Sequence, residues 1–154
     1  MKSVMLDTSF LILLLKEGEQ FHSNCLDYWK YFLENNIDIY ISTIAISEYS
    51  VKDDPYCLPL ESMRILSFSF NDAALSGKIH NRLIAHIKSH DRKERNIVIN
   101  DIKLLAQTVA NNIDTLITGD KEFIKSVKDN IDVIDKIRTI DLSVPLRNYL
   151  GTLF

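Results

Sequence analysis

A chain of 154 residues, 46% hydrophobic and 9% aromatic, with only four glycines and three prolines, has the makings of one packed domain spanning 1–154, without linker, repeat or low-complexity tract. Its net charge of -3 excludes nucleic-acid binding by bulk basicity, and Cys25 and Cys57, which lack CxxC spacing, exclude a disulfide framework or a structural zinc site. Asp7 and Lys16-Glu17 break up the one early stretch that could pass for a signal peptide, and no segment approaches the ~20 apolar residues of a membrane span, so a soluble, cytoplasmic protein with no membrane partner is expected.

In chain order, Ser3 to Leu6 reads as a short buried strand, followed by a helix that opens on Thr8 or Ser9 and ends near Gly18. Phe21, Cys25, Leu26, Trp29, Phe32 and Leu33 recur at helical spacing across Glu19 to Asn36, and this apolar stripe is read as core. Ile37 to Ser42 is a β-branched second strand, and Thr43 to Val51 a helix that Asp53-Asp54-Pro55 breaks. A third strand is expected over Arg64 to Phe70, then a long helix capped by Asn71-Asp72 and running to about Ser89. The polar stretch His90 to Asn96 reads as a turn, and Asn100 to Asn111 as a helix with Ile102, Leu105, Ala106 and Val109 on its apolar side. Asp114 to Thr118 is a fourth strand, Lys121 to Lys128 a helix and Ile131 to Ile134 a fifth strand. Val144 to Phe154 forms a short helix or a packed arm. Strands separated by helices require parallel pairing through right-handed crossovers. The predicted fold is therefore an α/β three-layer sandwich with a central, mainly parallel sheet of about five strands.

In such a fold the strand C-termini share one edge, where open α/β sheets place their ligands. Asp7 closes the first strand and Asp120 follows the fourth. Glu48 lies about one and a half turns into its helix, with its side chain leaning back toward that edge. Asp101 falls in the first turn of its predicted helix, with Asn100 as cap. Each acid has an ordinary explanation as a helix cap, a dipole partner or an exposed side chain. Together, however, four carboxylates repel by about 4 kcal/mol per close pair and need a cation or protons to persist. Hard oxygen donors suit Mg2+ or Mn2+, and such ions serve displacement at phosphorus. The implied reaction is phosphodiester hydrolysis.

Leu6-Asp7-Thr8-Ser9, the strand-to-helix segment Ile41-Ser42-Thr43-Ile44-Ala45-Ile46-Ser47-Glu48-Tyr49, Asp101-Ile102-Lys103-Leu104-Leu105-Ala106 and Leu116-Ile117-Thr118-Gly119-Asp120-Lys121-Glu122-Phe123 follow one another along the chain. In that order they resemble the four motifs of the PIN-domain nucleases, particularly the toxin subunits of VapBC-type toxin-antitoxin pairs. The resemblance implies a Mg2+- or Mn2+-dependent endoribonuclease that leaves a 5' phosphate and a 3' hydroxyl. Asp7, Glu48, Asp101 and Asp120 are then the catalytic and metal-binding acids, with Thr8, Ser9 and Thr118 as polar supports. It also implies an RNA substrate, a homodimer and a cognate antitoxin protein.

Lys78, Arg82, Lys88, Arg92, Lys93 and Arg95 give one segment a local basic excess that could meet RNA phosphates or simply form a solvated helix face. His86 and His90 are four apart but lack an obvious third metal ligand, and Glu122 is a spare acid beside Asp120. Two rival readings remain: a PIN-like module that binds RNA or protein without cutting, and a phosphotransfer domain with Asp7 as nucleophile. The second lacks a further aspartate two residues after Asp7.

Overall fold

Alternation of apolar side chains places β1 (Ser3–Leu6) at the centre of the molecule. Val4 and Leu6 join one core cluster with Phe10, Tyr28 and Phe32, whereas Met5 joins a second with Ile79, Ile102 and Leu105. A strand buried on both faces is what the middle of a parallel sheet requires. The computed structural model describes residues 1–83, 92–129 and 137–151. From β1 the chain continues through α1 (Thr8–Leu15), α2 (His22–Glu34), β2 (Asp38–Ser42) and α3 (Thr43–Tyr49), then two short 3-10 turns, Pro55–Cys57 and Leu60–Ser62. It goes on through β3 (Arg64–Leu66), α4 (Phe70–Leu83), α5 (Arg92–Ala110), β4 (Thr115–Thr118), α6 (Lys121–Asp129), β5 (Arg138–Asp141) and α7 (Leu146–Gly151).

The five strands lie in the order β3-β2-β1-β4-β5, every neighbouring pair parallel. Leu6 pairs with Ile41 on one side and Ile117 on the other, so β1, β2 and β4 end level with one another. Residues of α1, α2 and α3 fill the first cluster and those of α4, α5 and α6 the second, giving the expected helix–sheet–helix layering. Tyr28 and Phe32 of α2 and Phe10 of α1 are fully buried, and truncating such a ring to alanine costs roughly 3–5 kcal/mol. The connection from β1 runs to β2 on one side of the sheet, and that from β4 runs to β5 on the other. The crevice at their C-terminal ends is therefore the topological switch point of the sheet.

Three sequence expectations are corrected. The third strand stops at Leu66 instead of Phe70, because a reciprocal cap starts α4 there. Ser69 N donates to Asp72 Oδ2 (2.7 Å) and Asp72 N to Ser69 Oγ (3.2 Å), and this cap outweighs the β propensity of the preceding residues. Buried Asp72 also accepts from Gln107 Nε2 (3.3 Å) and Asn111 Nδ2 (3.1 Å), which ties the start of α4 to α5.

The predicted turn at His90 to Asn96 is already helix from Arg92. Arg, Lys and Glu are good helix formers, and neither glycine nor proline interrupts the segment, so polarity alone misled. In consequence Asn100 is not a cap, and Asp101 lies in the middle of α5 rather than in a first turn. The fifth strand is Arg138–Asp141, held in register by Arg138 N to Asp114 O (2.9 Å) and Leu142 N to Thr118 O (3.1 Å), whereas Ile131 to Ile134 lie outside the described residues. The C-terminal stretch does contain a helix, α7, and Cys25 and Cys57 are free thiols, the first buried and raised to about 12 by that burial.

Candidate active site

The residue after β1 must turn the chain from strand to helix, and Asp7 does so as the N-cap of α1. Its Oδ1 accepts from Phe10 N (2.9 Å) and Ser9 Oγ (2.7 Å). The cap is thus Asp7, not Thr8 or Ser9. Burial pushes the Asp7 carboxyl above its ordinary range, against the opposing pull of hydrogen bonds from Ser9, Thr118, Phe10 and Gly119. Asp120 repeats the arrangement after β4, where its Oδ1 accepts from Phe123 N (2.9 Å) and its own N–H donates to Thr118 Oγ1 (3.1 Å). Capping and site roles therefore coexist, since a cap engages one oxygen of a carboxylate that has two.

Ser42 caps α3 through Ile44 N (3.1 Å), and one and a half turns later Glu48 reaches back to the same edge. One Glu48 oxygen accepts from Thr8 Oγ1, and the other accepts from Asn100 Nδ2 at 2.6 Å. Asp101 enters from α5. Burial first, then the charges of Asp7, Asp120 and Glu48, push its carboxyl up to about 8, and contact with Asp120 adds to the shift. Asp101 Oδ2 is buried without a hydrogen-bond partner among the described residues.

Asp7, Glu48, Asp101 and Asp120 line one cleft of about 620 Å³, with Thr8 and Ser9 on its wall. Thr118 sits behind it, fully buried, bonded to Asp7 and to the Asp120 backbone. Helical geometry explains why the Asp101 position survives the correction to its helix: α5 runs past the crevice, so a mid-helix residue reaches it as readily as a first-turn one. Sequence reasoning missed two residues that line this cleft, Lys121 and the apolar wall residue Ile12, and took Asn100, which bonds Glu48, only as a helix cap. Lys121 directly follows Asp120, and that adjacency was the signal that could have found it. Glu122 also lines the rim and is exposed.

The donor set suits a hard divalent cation. Among the described residues Asp101 presents a buried oxygen with no partner, and in a metal-free cleft the proton it holds at neutral pH offsets charge that a cation would otherwise neutralise. Among the described residues no three acids converge into a ready-made coordination shell, because Asp7, Glu48 and Asp120 each turn oxygens toward N–H or O–H donors.

The expected basic segment is only partly visible. Lys78 is an exposed residue of α4, Arg82 lies near the end of the same helix, and Arg92, Lys93 and Arg95 lie in the first turn of α5. Lys88, His86 and His90 fall outside the described residues. A second basic row was not anticipated: Lys121, Lys125 and Lys128 recur at i, i+4 and i+7 along the exposed side of α6, opposite buried Phe123, Ile124 and Val127. Among the described residues none of the three is ion-paired.

A parallel sheet in the order 3-2-1-4-5 with four acids at its switch point defines an α/β protein built around an acidic cleft. The PIN domain family model matches residues 4–128, so the chain belongs to the PIN-domain family. No curated protein matches it at the level of sequence. Among solved structures it is similar to VapBC2 from Rickettsia felis bound to a DNA fragment from their promoter, with 17% identity, a TM-score of 0.62, and 90% of this chain and 98% of that one covered. DNA-bound VapBC from Salmonella typhimurium is similar at 16% identity and TM-score 0.58, covering 92% and 99%. Mycobacterium tuberculosis VapC20, a sarcin-ricin loop cleaving toxin, is similar at 15% identity and TM-score 0.54, covering 78% and 92%. At these identities the likeness is one of fold. Among the described residues no helix is long and apolar enough to cross a membrane.

Proposed function

We propose that this chain is a Mg2+- or Mn2+-dependent endoribonuclease and the toxin of a toxin-antitoxin pair, acting in the cytoplasm. The observation that carries the reading is the convergence of Asp7, Glu48, Asp101 and Asp120 on one cleft, where Asp101 holds its proton to about pH 8 and keeps one buried oxygen unpartnered among the described residues. A cleft that only bound RNA would gain nothing from four carboxylates, which repel a phosphate backbone.

In this reading Asp7, Glu48, Asp101 and Asp120 hold the cation. When bound, Mg2+ or Mn2+ supplies Lewis acidity, lowering the pKa of water and offsetting charge on the phosphate. The chain's own residues do the positioning. Ser9 and Phe10 N fix the Asp7 carboxylate, Thr8 and Asn100 fix Glu48, and Phe123 N fixes Asp120. Thr118 braces Asp7 and Asp120 from behind the sheet edge. Deprotonated, Asp101 would join Asp7, Glu48 and Asp120 in holding the cation, and none of the acids is required as a dedicated general base. Lys121 stands at the rim, and with Lys125 and Lys128 it offers a row of cations to the RNA backbone leading away from the scissile phosphate. An antitoxin partner belongs to the same reading and is supported by the solved neighbours being VapBC complexes; a homodimer is proposed with it.

The test is incubation of the purified protein and its Asp7→Asn variant with structured RNA, in Mn2+ or in chelator. Cleavage only by the unsubstituted protein with metal is expected. If that protein binds RNA but cuts none across varied substrates, the non-catalytic module takes its place.

A further inference from the structure

Glu48 is held in an unusual way for an acid in a cleft of like charges. Both of its oxygens accept hydrogen bonds, and both donors are neutral: the Thr8 hydroxyl from α1 and the Asn100 amide from α5, at 2.6 Å. A lysine or arginine in either place would fix Glu48 by cancelling its charge, and an aspartate at position 100 would repel it. A neutral donor orients the carboxylate without setting a counter-charge against it. Each bond occupies one lone pair, so each oxygen keeps a second for another partner. The amide orientation is dictated, because the flipped side chain would set its carbonyl oxygen against the carboxylate.

Asn100 is also the residue immediately before Asp101 on α5, the helix whose arrival brings Asp101 into the cleft. Its bond to Glu48 therefore joins α5 to α3 at the point where both helices contribute an acid. With the bond from Thr8, that hydrogen bond holds the Glu48 carboxylate and links it to the helix that carries Asp101. Asp101 Oδ2 itself has no hydrogen-bond partner among the described residues.

We infer that Asn100 is a positioning residue for the cation site: its amide fixes the Glu48 carboxylate and its spacing from Asp101, and so sets how tightly the site takes a divalent ion. Rotational freedom that Glu48 would otherwise lose on binding the ion is removed in advance. This inference rests on the metal-dependent reading above.

The decisive measurement is Mn2+ binding in the absence of RNA, followed by loss of the free-ion electron paramagnetic resonance signal. It is made on the unsubstituted protein, on Asn100→Leu, which keeps nearly the same shape without a donor, and on Asn100→Ala. Both variants are expected to bind Mn2+ about ten- to a hundredfold more weakly, the usual effect of losing a group that orients a metal ligand. With RNA, the Mn2+ concentration for half-maximal cleavage should rise by the same factor. A merely structural role would lower the melting temperature and leave the Mn2+ affinity of the folded protein unchanged, and that result in either variant overturns the inference. Failure of the unsubstituted protein to bind Mn2+ would instead overturn the metal-dependent reading itself, and this proposal with it.

Discussion

Ser9 and Gly119 meet across the cleft: Ser9 Oγ accepts a hydrogen bond from Gly119 N at 2.9 Å and would stand only 3.0 Å from a Cβ placed on that glycine. The same hydroxyl donates to Asp7 Oδ1, so a glycine in the β4–α6 connection is linked through one serine to the carboxylate that ends β1. The close approach, not an unusual backbone angle, is what requires glycine here, since no glycine of the chain has positive φ.

Gly119→Ala should therefore destabilise the protein by about 1–3 kcal/mol through overpacking and shift Asp7 by moving Ser9. Adding Ser9→Ala should recover much of the loss, because the remaining neighbour, Ser9 Cβ, lies at an ordinary 3.4 Å. Urea denaturation of the two single variants and the double variant measures the coupling. Additive effects would show that the close approach does not constrain the site.

The metal-free protein should lose stability as pH rises. Asp101 is held up to about 8 in the folded chain, against an ordinary value of 3.8, by burial and by the charges of Asp7, Asp120 and Glu48. Between those values the unfolded chain has released this proton and the folded chain retains it, so the contribution is full at low pH and is lost as pH climbs toward 8. Asp7, also raised by burial, acts in the same direction. Melting temperatures in chelator should fall from about pH 5 to about pH 8, and Asp101→Asn should flatten the slope. A flat or rising profile in the unsubstituted protein would contradict this electrostatic picture.

Mn2+ at about a hundred times its dissociation constant should add about 2.7 kcal/mol of stability at pH 8, seen as a higher melting temperature. Asp101→Asn should abolish most of the gain. An unchanged melting temperature at saturating Mn2+ or Mg2+ would count against the cation site.

Asp7→Asn and Asp120→Asn should each reduce cleavage to background and leave the fold intact. Asparagine retains an Oδ1 acceptor for Phe10 N or Phe123 N, so the helix caps survive, and removal of one charge relieves repulsion in the metal-free cleft. An Asp7→Asn protein that cuts RNA at the original rate would remove Asp7 from the mechanism.

Substitution of Lys121, Lys125 and Lys128 by glutamine tests the row on α6. If each meets a phosphate of single-stranded RNA, affinity falls, and the dependence of log K on log salt becomes shallower by about 0.7 for every phosphate that is no longer neutralised. An unchanged salt slope in the triple variant would mean that the row is simply solvated.

The sheet and the positions of the acids were legible because they rest on short-range chemistry. Apolar runs at Val4 to Leu6 and Leu116 to Ile117, each ended by residues that start a helix, carry the strand–turn–helix pattern within a few residues. The acids that follow those strands are carried with them to one edge, whatever the rest of the chain does. Asp101 is instructive: its arrival at the cleft was anticipated, but through a helix start that does not exist. Residues 92–96 looked like a turn because they are polar, yet charged residues without glycine or proline continue a helix readily, and packing of Ile102 and Leu105 against the sheet anchors it.

By itself, then, the sequence determined the strands β1, β2 and β4, the helices that follow them and the acids that stand near their ends, since helix capping, β propensity and apolar alternation act between near neighbours. Only the tertiary structure decided that Asn100 clamps Glu48 across 52 positions, that Ser9 locks against Gly119 across 110, and that Asp101 keeps its proton to about pH 8. Each of these depends on burial and on distances between elements far apart in the chain, which exist only once the two apolar faces of the sheet have been covered.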